Sequence, residues 1–339
     1  MQNSPFALGL GIGTQNSNGA WLEVYYPSPL LAPAQALVDV LQKFESDNAL
    51  SSADLNEIAI LLDANEQGEL ADIAEQLALS DQSCVLTILT NDEAPQSVPE
   101  GYLKLHLLSH RLVKPHGTNL TGLFGILPNV AWTNEGAIDL ADLANRQLKA
   151  RLEGRVLEVS CVDKFPKMTN YVVPAGVRIA HTARVRLGAY LGEGTTVMHE
   201  GFINFNAGTD GPGMIEGRIS AGVVVGSGSD LGGSASTLGT LSGGNNVVIS
   251  VGKECLLGAN AGTGIPLGDR CTIEAGLFVT AGSRVQVLDN NGKAVEIVKA
   301  RELAGKSDLL FRRNSQTGAL ECLTNKSAIA LNNELHANN

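Results

Sequence analysis

Glu216 and Arg218 stand two positions apart in the run GPGMIEGRIS, the sharpest concentration of chemistry in the chain. A partly desolvated carboxylate can take a proton from an incoming nucleophile or can itself accept an acyl group. A guanidinium beside it can meet a second carboxylate or a phosphate through paired N–H donors. The competing reading is a solvated loop acid. Further along, basic residues gather at Lys299, Arg301, Lys306, Arg312 and Arg313. There the run Arg312, Arg313, Asn314, Ser315 offers a fork of donors suited to phosphate, against the plainer reading of an exposed charge run. His110, Arg111, Lys114 and His116 form a second basic cluster that divides the same way.

The elements that must position these residues announce themselves through a repeat of six. Val173, Ile179, Val185, Leu191, Val197 and Ile203 are all aliphatic. The insertion TDGPGM reads as a loop on one face and therefore as a candidate binding loop carrying Glu216 and Arg218. The register resumes at Ile219, Val225, Leu231 and Thr237, of which only Thr237 breaks the pattern, then at Val251 and Leu257, then at Leu267, Ile273, Val279 and Val285. Glycine often follows the aliphatic, and 24 of the 38 glycines fall in residues 171–290. An aliphatic followed by a small residue every six positions predicts a parallel β-helix, three short strands to each coil. Stacked coils are stabilised by neighbour contacts, so the ends need caps.

Residues 1–165 predict a mixed α/β domain, residues 166–290 the β-helix and residues 291–339 a small C-terminal region. LAPAQALVDVLQKF and ADLNEIAILLDANEQGELADIAEQLAL carry helical periodicity, with Ser51 or Ser52 as the cap. SCVLTILT and GYLKLHLLS read as strands, and EGAIDLADLANRQLKARLEG as a helix. A turn at Asn290-Asn291-Gly292 precedes short strands, and SAIALNNELHANN reads as a short terminal helix.

Composition narrows the function classes. Hydrophobic residues at 44% provide for a buried core, and a net charge of −11 argues against nonspecific nucleic-acid binding. No apolar run approaches membrane-span length, and the N-terminus lacks the basic stretch of a secretory signal. A soluble, cytoplasmic protein is expected. The five cysteines are scattered, and Cys255 and Cys271 read as small buried residues. Hexapeptide coils include zinc hydratases with three histidine ligands. Here only His181 and His199 fall in the repeat, 18 positions apart, which favours a structural role.

VMHEGFINFNAGT, MIEGRISAGVVVGSGSDLGGSAS, LLGANAGTGIPLGD, IEAGLFVTAGS and KARELAGKSDLLFRRNS together give a specific resemblance. The sequence resembles the tetrahydrodipicolinate N-succinyltransferase family, longer type, over roughly residues 100–320. The resemblance implies a homotrimer of left-handed parallel β-helices. It also implies transfer of succinyl from succinyl-CoA to the amine of 2-amino-6-oxopimelate, the opened form of tetrahydrodipicolinate, in diaminopimelate and lysine synthesis. Glu216 falls on the family's catalytic glutamate, described as forming an acyl anhydride, and Arg218 would meet the acyl donor. Gly233, Ser236, Ala259, Glu274, Ala275, Gly282, Lys299, Arg312, Arg313, Asn314 and Ser315 match positions that contact succinyl-CoA. The longer type can hold Mg²⁺ on the trimer axis through an aspartate and a glutamate. Glu200 matches the glutamate, whereas Ala183 stands at the aspartate's place, so any ion is expected to be structural. No tightly bound cofactor is expected beyond the co-substrate. The alternatives are an acetyl-CoA-dependent acyltransferase of the same fold and a non-catalytic coil scaffold. Arg218 discriminates the first, since only succinate brings a distal carboxylate.

Overall fold

The computed structural model describes residues 5–46, 48–239, 247–289 and 291–324. The expected terminal helix lies outside them, as does Asn290 of the expected turn. The chain divides into two compact units, one of residues 1–107, 117–166 and 170–172, the other of residues 108–116, 167–169 and 173–339. Among the described residues no helix is long and apolar enough to cross a membrane.

In the first unit the strands Ala7–Gln15, Trp21–Tyr25, Leu30–Leu31 and Ser83–Leu89 form an antiparallel sheet with Ala7–Gln15 paired to all three others. Leu8, Leu10, Leu86 and Ile88 bury against Leu37, Leu41, Ile58, Leu62, Leu70 and Ala74 from the helices Gln35–Leu41, Ser52–Ala64 and Gly68–Leu77. Ser51 caps the second of these helices, and Asp54 returns the bond to the Ser51 N–H, which satisfies two otherwise orphan donors. A three-stranded sheet, Val130–Thr133, Gly136–Asp139 and Val159–Asp163, packs on the helix Leu140–Leu152.

One expectation fails here. GYLKLHLLS is helical, the body of Val98–Ser109, and not a strand. The helix is buried on all sides over residues 101–109, so it shows no polar stripe, and Lys104 and His106 sit at an alternating spacing that imitates a strand. Lys104 is buried and its Nζ donates to Asp92 Oδ1 at 2.5 Å and to the Glu93 carbonyl at 2.6 Å. His106 Nδ1 meets the Tyr102 carbonyl at 2.8 Å, and its Nε2 accepts from the Tyr26 N–H. Satisfying both polar groups is what makes their burial tolerable.

The second unit is built on the repeat. Ile179, Val197, Ile215, Leu231, Leu257 and Ile273 pair in parallel up one face. Ile203, Ile219, Thr237, Thr263 and Val279 stack up a second. Leu191, Thr209, Val225 and Val251 stack up a third. The chain visits the three sheets in rotation, and apart from Ile179 these residues are buried in the coil's interior. Interior threonines keep their hydroxyls bonded, as Thr195 to Thr209 at 2.7 Å and Thr263 to the Ile265 carbonyl at 2.7 Å show. Val173, the first residue of the expected series, is exposed.

The expected binding loop at TDGPGM is also overturned. Gly208–Thr209 and Gly213–Ile215 are strands of the third and first faces, each with parallel partners on both sides. The six-residue rhythm therefore runs on through Thr209 and Ile215. The irregularity is instead a four-residue step from Ile215 to Ile219, so that Glu216, Gly217 and Arg218 turn one tight corner. Beyond Val279 the first sheet continues into the strands Arg284–Leu288, Ala294–Lys299, Leu309–Arg313 and Leu320–Thr324.

Candidate active site

The edge where the first face turns into the second gathers most of the expected site residues. Successive rungs are tied by bonds from the N–H of Glu216 to the Leu231 carbonyl, of Gly232 to Leu257, of Gly258 to Ile273 and of Glu274 to Phe311, all 2.8–2.9 Å. Up this edge run Glu216, then Gly232-Gly233, then Gly258-Ala259, then Glu274-Ala275, then Arg312-Arg313. Parallel strands lie ~4.8 Å apart, so residues far apart in sequence become rungs of one ladder. A Cβ on Gly258 would lie 2.5 Å from the Ala275 nitrogen, and one on Gly232 2.8 Å from the Ala259 nitrogen. Glycine at these corners is thus dictated by the rung above, which leaves a track of bare backbone between two acids.

Glu216 is half-buried at the foot of this track. Its carboxylate lies over Gly233, where a Cβ would sit 3.6 Å from Oε2. Around the corner, Arg218 pairs in register with Ser236, and its Nη2 donates to Ser236 Oγ at 3.0 Å. Ser236 is buried beneath it. The Phe278 ring lies across Gly262 on the same face, where a Cβ would meet ring atoms at 2.2–2.5 Å.

At the head of the track two acids fix the basic segment. Glu274 Oε2 accepts the Arg313 N–H at 2.7 Å. Glu321, buried on the neighbouring strand, accepts from Arg312 Nε at 3.0 Å and from Asn314 Nδ2 at 2.8 Å. The Asn314 and Arg312 bonds outweigh burial and hold the Glu321 carboxyl below the usual range. Asn314 Oδ1 accepts the N–H groups of Gln316 and Thr317, closing the turn in which Ser315 is exposed. Glu321 is a site residue that sequence reasoning misses; its only signal is a lone acid between the apolar Leu320 and Cys322.

Other expected residues lie elsewhere. Gly282 and Lys299 are exposed and neighbouring, held by bonds from the Ala300 N–H to the Ser283 carbonyl and from the Arg301 N–H to the Ala281 carbonyl. Arg111, Lys114 and His116 clip their segment to the coil through the Leu191 and Ala175 carbonyls, Asp210 and the Gly222 carbonyl, so that cluster is structural. The His181 and His199 rings meet edge to face at 5.1 Å. Glu200 Oε1 takes His199 Nδ1 at 2.6 Å and Oε2 takes Arg184 Nη2 at 2.7 Å, which together hold its carboxyl below the usual range. A guanidinium on the only candidate carboxylate, with Ala183 supplying no oxygen, does not fit a hard cation such as Mg²⁺. Among the described residues no three His, Cys, Asp or Glu groups converge for a metal. Burial pushes the Cys84 thiol up to about 11 and the Cys322 thiol up to about 12, so neither is a ready nucleophile.

The six-residue rhythm and the three stacked parallel sheets are those of a hexapeptide-repeat protein. Residues 244–281 match the family model "Hexapeptide repeat of succinyl-transferase". Residues 37–125 and 127–167 match the N-terminal and middle models of tetrahydrodipicolinate N-succinyltransferase. A 2,3,4,5-tetrahydropyridine-2,6-dicarboxylate N-succinyltransferase of Pseudomonas putida is 62% identical over the whole of both chains. One of Vibrio cholerae is 63% identical over 98% of this chain and 99% of its own. A solved structure from Campylobacter jejuni, described as a 2,3,4,5-tetrahydropyridine-2-carboxylate N-succinyltransferase, superposes with a TM-score of 0.86 at 34% identity, covering 96% of this chain and 94% of that one. The chain belongs to the tetrahydrodipicolinate N-succinyltransferase family.

Proposed function

We propose that the chain transfers succinyl from succinyl-CoA to the amine of tetrahydrodipicolinate in its open form, 2-amino-6-oxopimelate, toward diaminopimelate and lysine. The observation that carries this reading is identity of 62–63% along essentially the entire chain to relatives bearing that name. The edge of the coil supports it chemically. A thioester arm is thin, and a track of Gly233, Ala259 and Ala275 admits one against backbone. Arg312 and Arg313 at the head of the track suit the donor's phosphates. Arg218, whose guanidinium rests on Ser236, suits the distal carboxylate that succinate has and acetate lacks.

At the foot, Glu216 is the reactive carboxylate. The uncharged amine nitrogen attacks the thioester carbonyl, and the C–S bond breaks with its electron pair going to sulfur. CoA leaves as the thiolate, and Glu216 takes the proton shed by the new amide nitrogen and passes it to that thiolate. In the alternative that the family resemblance names, Glu216 takes the succinyl first as an anhydride and passes it on. The order of events separates the two. A carrier releases CoA before the acceptor arrives, and a base releases it only when both substrates are present.

The proposal includes a left-handed coil and a homotrimer, in which flat parallel faces pair with those of neighbouring copies. Light scattering should return three chains; a fully active monomer would contradict it. Five free cysteines suit a reducing cytoplasm. The function itself is tested by following thiol release from succinyl-CoA and acetyl-CoA with the dicarboxylic acceptor. Release should be strong with succinyl-CoA and weak with acetyl-CoA. Equal rates would favour a general acetyl-type transferase, and no release with either would favour the scaffold.

A further inference from the structure

We infer that Glu321 is a positioning residue for donor binding: from a buried site on the last strand it aims the Arg312 guanidinium and locks Asn314. The inference rests on the proposed function, in which Arg312 meets the donor's phosphates. Glu321 is 5% exposed and spends one oxygen on Arg312 Nε, at 3.0 Å, and the other on Asn314 Nδ2, at 2.8 Å. A guanidinium held by Nε keeps its two terminal nitrogens as an end-on fork. Neither terminal nitrogen of Arg312 makes a hydrogen bond among the described residues. The same segment is held at two further points, since Glu274 takes the Arg313 N–H and the Arg313 Nη1 reaches the Gly318 carbonyl at 3.0 Å.

Charge alone predicts the opposite role. A carboxylate beside an arginine opposes any phosphate brought to it, so a purely electrostatic Glu321 would weaken donor binding. Arginine, however, carries many side-chain rotamers, and fixing one of them before the ligand arrives lowers the ordering cost of binding. A buried carboxylate on a paired strand is a rigid anchor for that purpose. Glutamine has a single carbonyl oxygen and would place an N–H₂ against either Arg312 Nε or Asn314 Nδ2. One of the two holds must then break.

The experiment measures CoA affinity by calorimetry, with steady-state constants, for the full chain and for Glu321→Gln, Arg312→Ala, Asn314→Ala and Arg312→Ala/Glu321→Gln. Glu321→Gln should weaken CoA about tenfold, the scale of one hydrogen bond to a charged group, and raise the succinyl-CoA KM alike. The acceptor KM and kcat at saturation should stay within about twofold. The double variant should bind at most about threefold more weakly than Arg312→Ala alone, the share of the Asn314 hold, because Glu321 acts mainly through Arg312. Unchanged or tighter CoA binding by Glu321→Gln would overturn the inference, as would additive losses in the double variant. Should Glu321→Gln fail to fold, Asn314→Ala, which removes one hold at a more exposed site, should still weaken CoA by roughly threefold, and no change would be equally fatal. A natural chain that neither binds CoA nor releases thiol from succinyl-CoA would instead overturn the function on which the inference rests.

Discussion

Arg218 bonds to Ser236, 18 positions along, whereas Glu23 in the first unit accepts at 3.0 Å from Tyr171, 148 positions away. The contrast runs through both units. In the coil, each residue's neighbour lies one turn later in the chain, so position in sequence is position in space. In the first unit, side chains meet because sheets and helices happen to pack there, and spacing carries no trace of it. The coil therefore exposes its stacked faces to a reader of the sequence, and the first unit conceals its buried polar groups.

The comparison breaks most forcefully at a coil corner. Gly258→Val would drive a side chain into the backbone of the next rung and should cost roughly 3 kcal/mol, the upper range for overpacking. Gly68→Ala, at a helix start with nothing within 4 Å, should be neutral or slightly stabilising. Denaturant unfolding followed by circular dichroism checks both. Equal effects would mean the repeat imposes no special demand on its corners.

Next in size is the head of the edge. Replacing both Arg312 and Arg313 with Ala should raise the donor KM about tenfold or more, with the acceptor KM little altered. Equal changes in both constants would assign the pair to holding the last strands together.

The smallest effect contrasts two buried carboxylates by pH. Burial pushes the Glu23 carboxyl up despite bonds from Thr14 and Tyr171, whereas its partners hold that of Glu321 down. With its folded value raised, Glu23 binds its proton more tightly folded than unfolded. Stability of the first unit should therefore fall as pH rises from the ordinary carboxylate value through the raised one. Glu321 has the opposite sign: its contribution is present at neutral pH and is lost as pH falls through its lowered value. Both tryptophans, Trp21 and Trp132, lie in the first unit, so their fluorescence reports that unit's unfolding. The profile for Glu23→Gln should be flatter with pH than that of the natural chain. Parallel profiles would show that Glu23 does not titrate across folding.

The same contrast explains what the sequence disclosed. Three faces follow from the six-residue rhythm, whereas Glu216, Gly233, Ala259 and Glu274 enter as site residues through the family resemblance; their spacings of 17, 26 and 15 positions are too uneven for counting to place them on one edge. At TDGPGM glycine and proline imitate a loop, and Thr209 stands where the rhythm asks for an aliphatic. The helix Val98–Ser109 was masked by burial on every side, which erases the periodicity on which a reading depends. Glu321 stayed hidden because its partners lie on an antiparallel strand outside the repeat, where no fixed spacing applies.

The central claim is that one edge of the coil is a catalytic track with Glu216 as its reactive group. Glu216→Gln keeps the size and removes the carboxylate. The most direct measurement is kcat for this variant beside its affinity for CoA. The account predicts kcat lower by at least ~10²-fold with CoA affinity within a few-fold of the natural chain. A folded trimer that turned over succinyl-CoA and acceptor at near-normal rate without the carboxylate would contradict it.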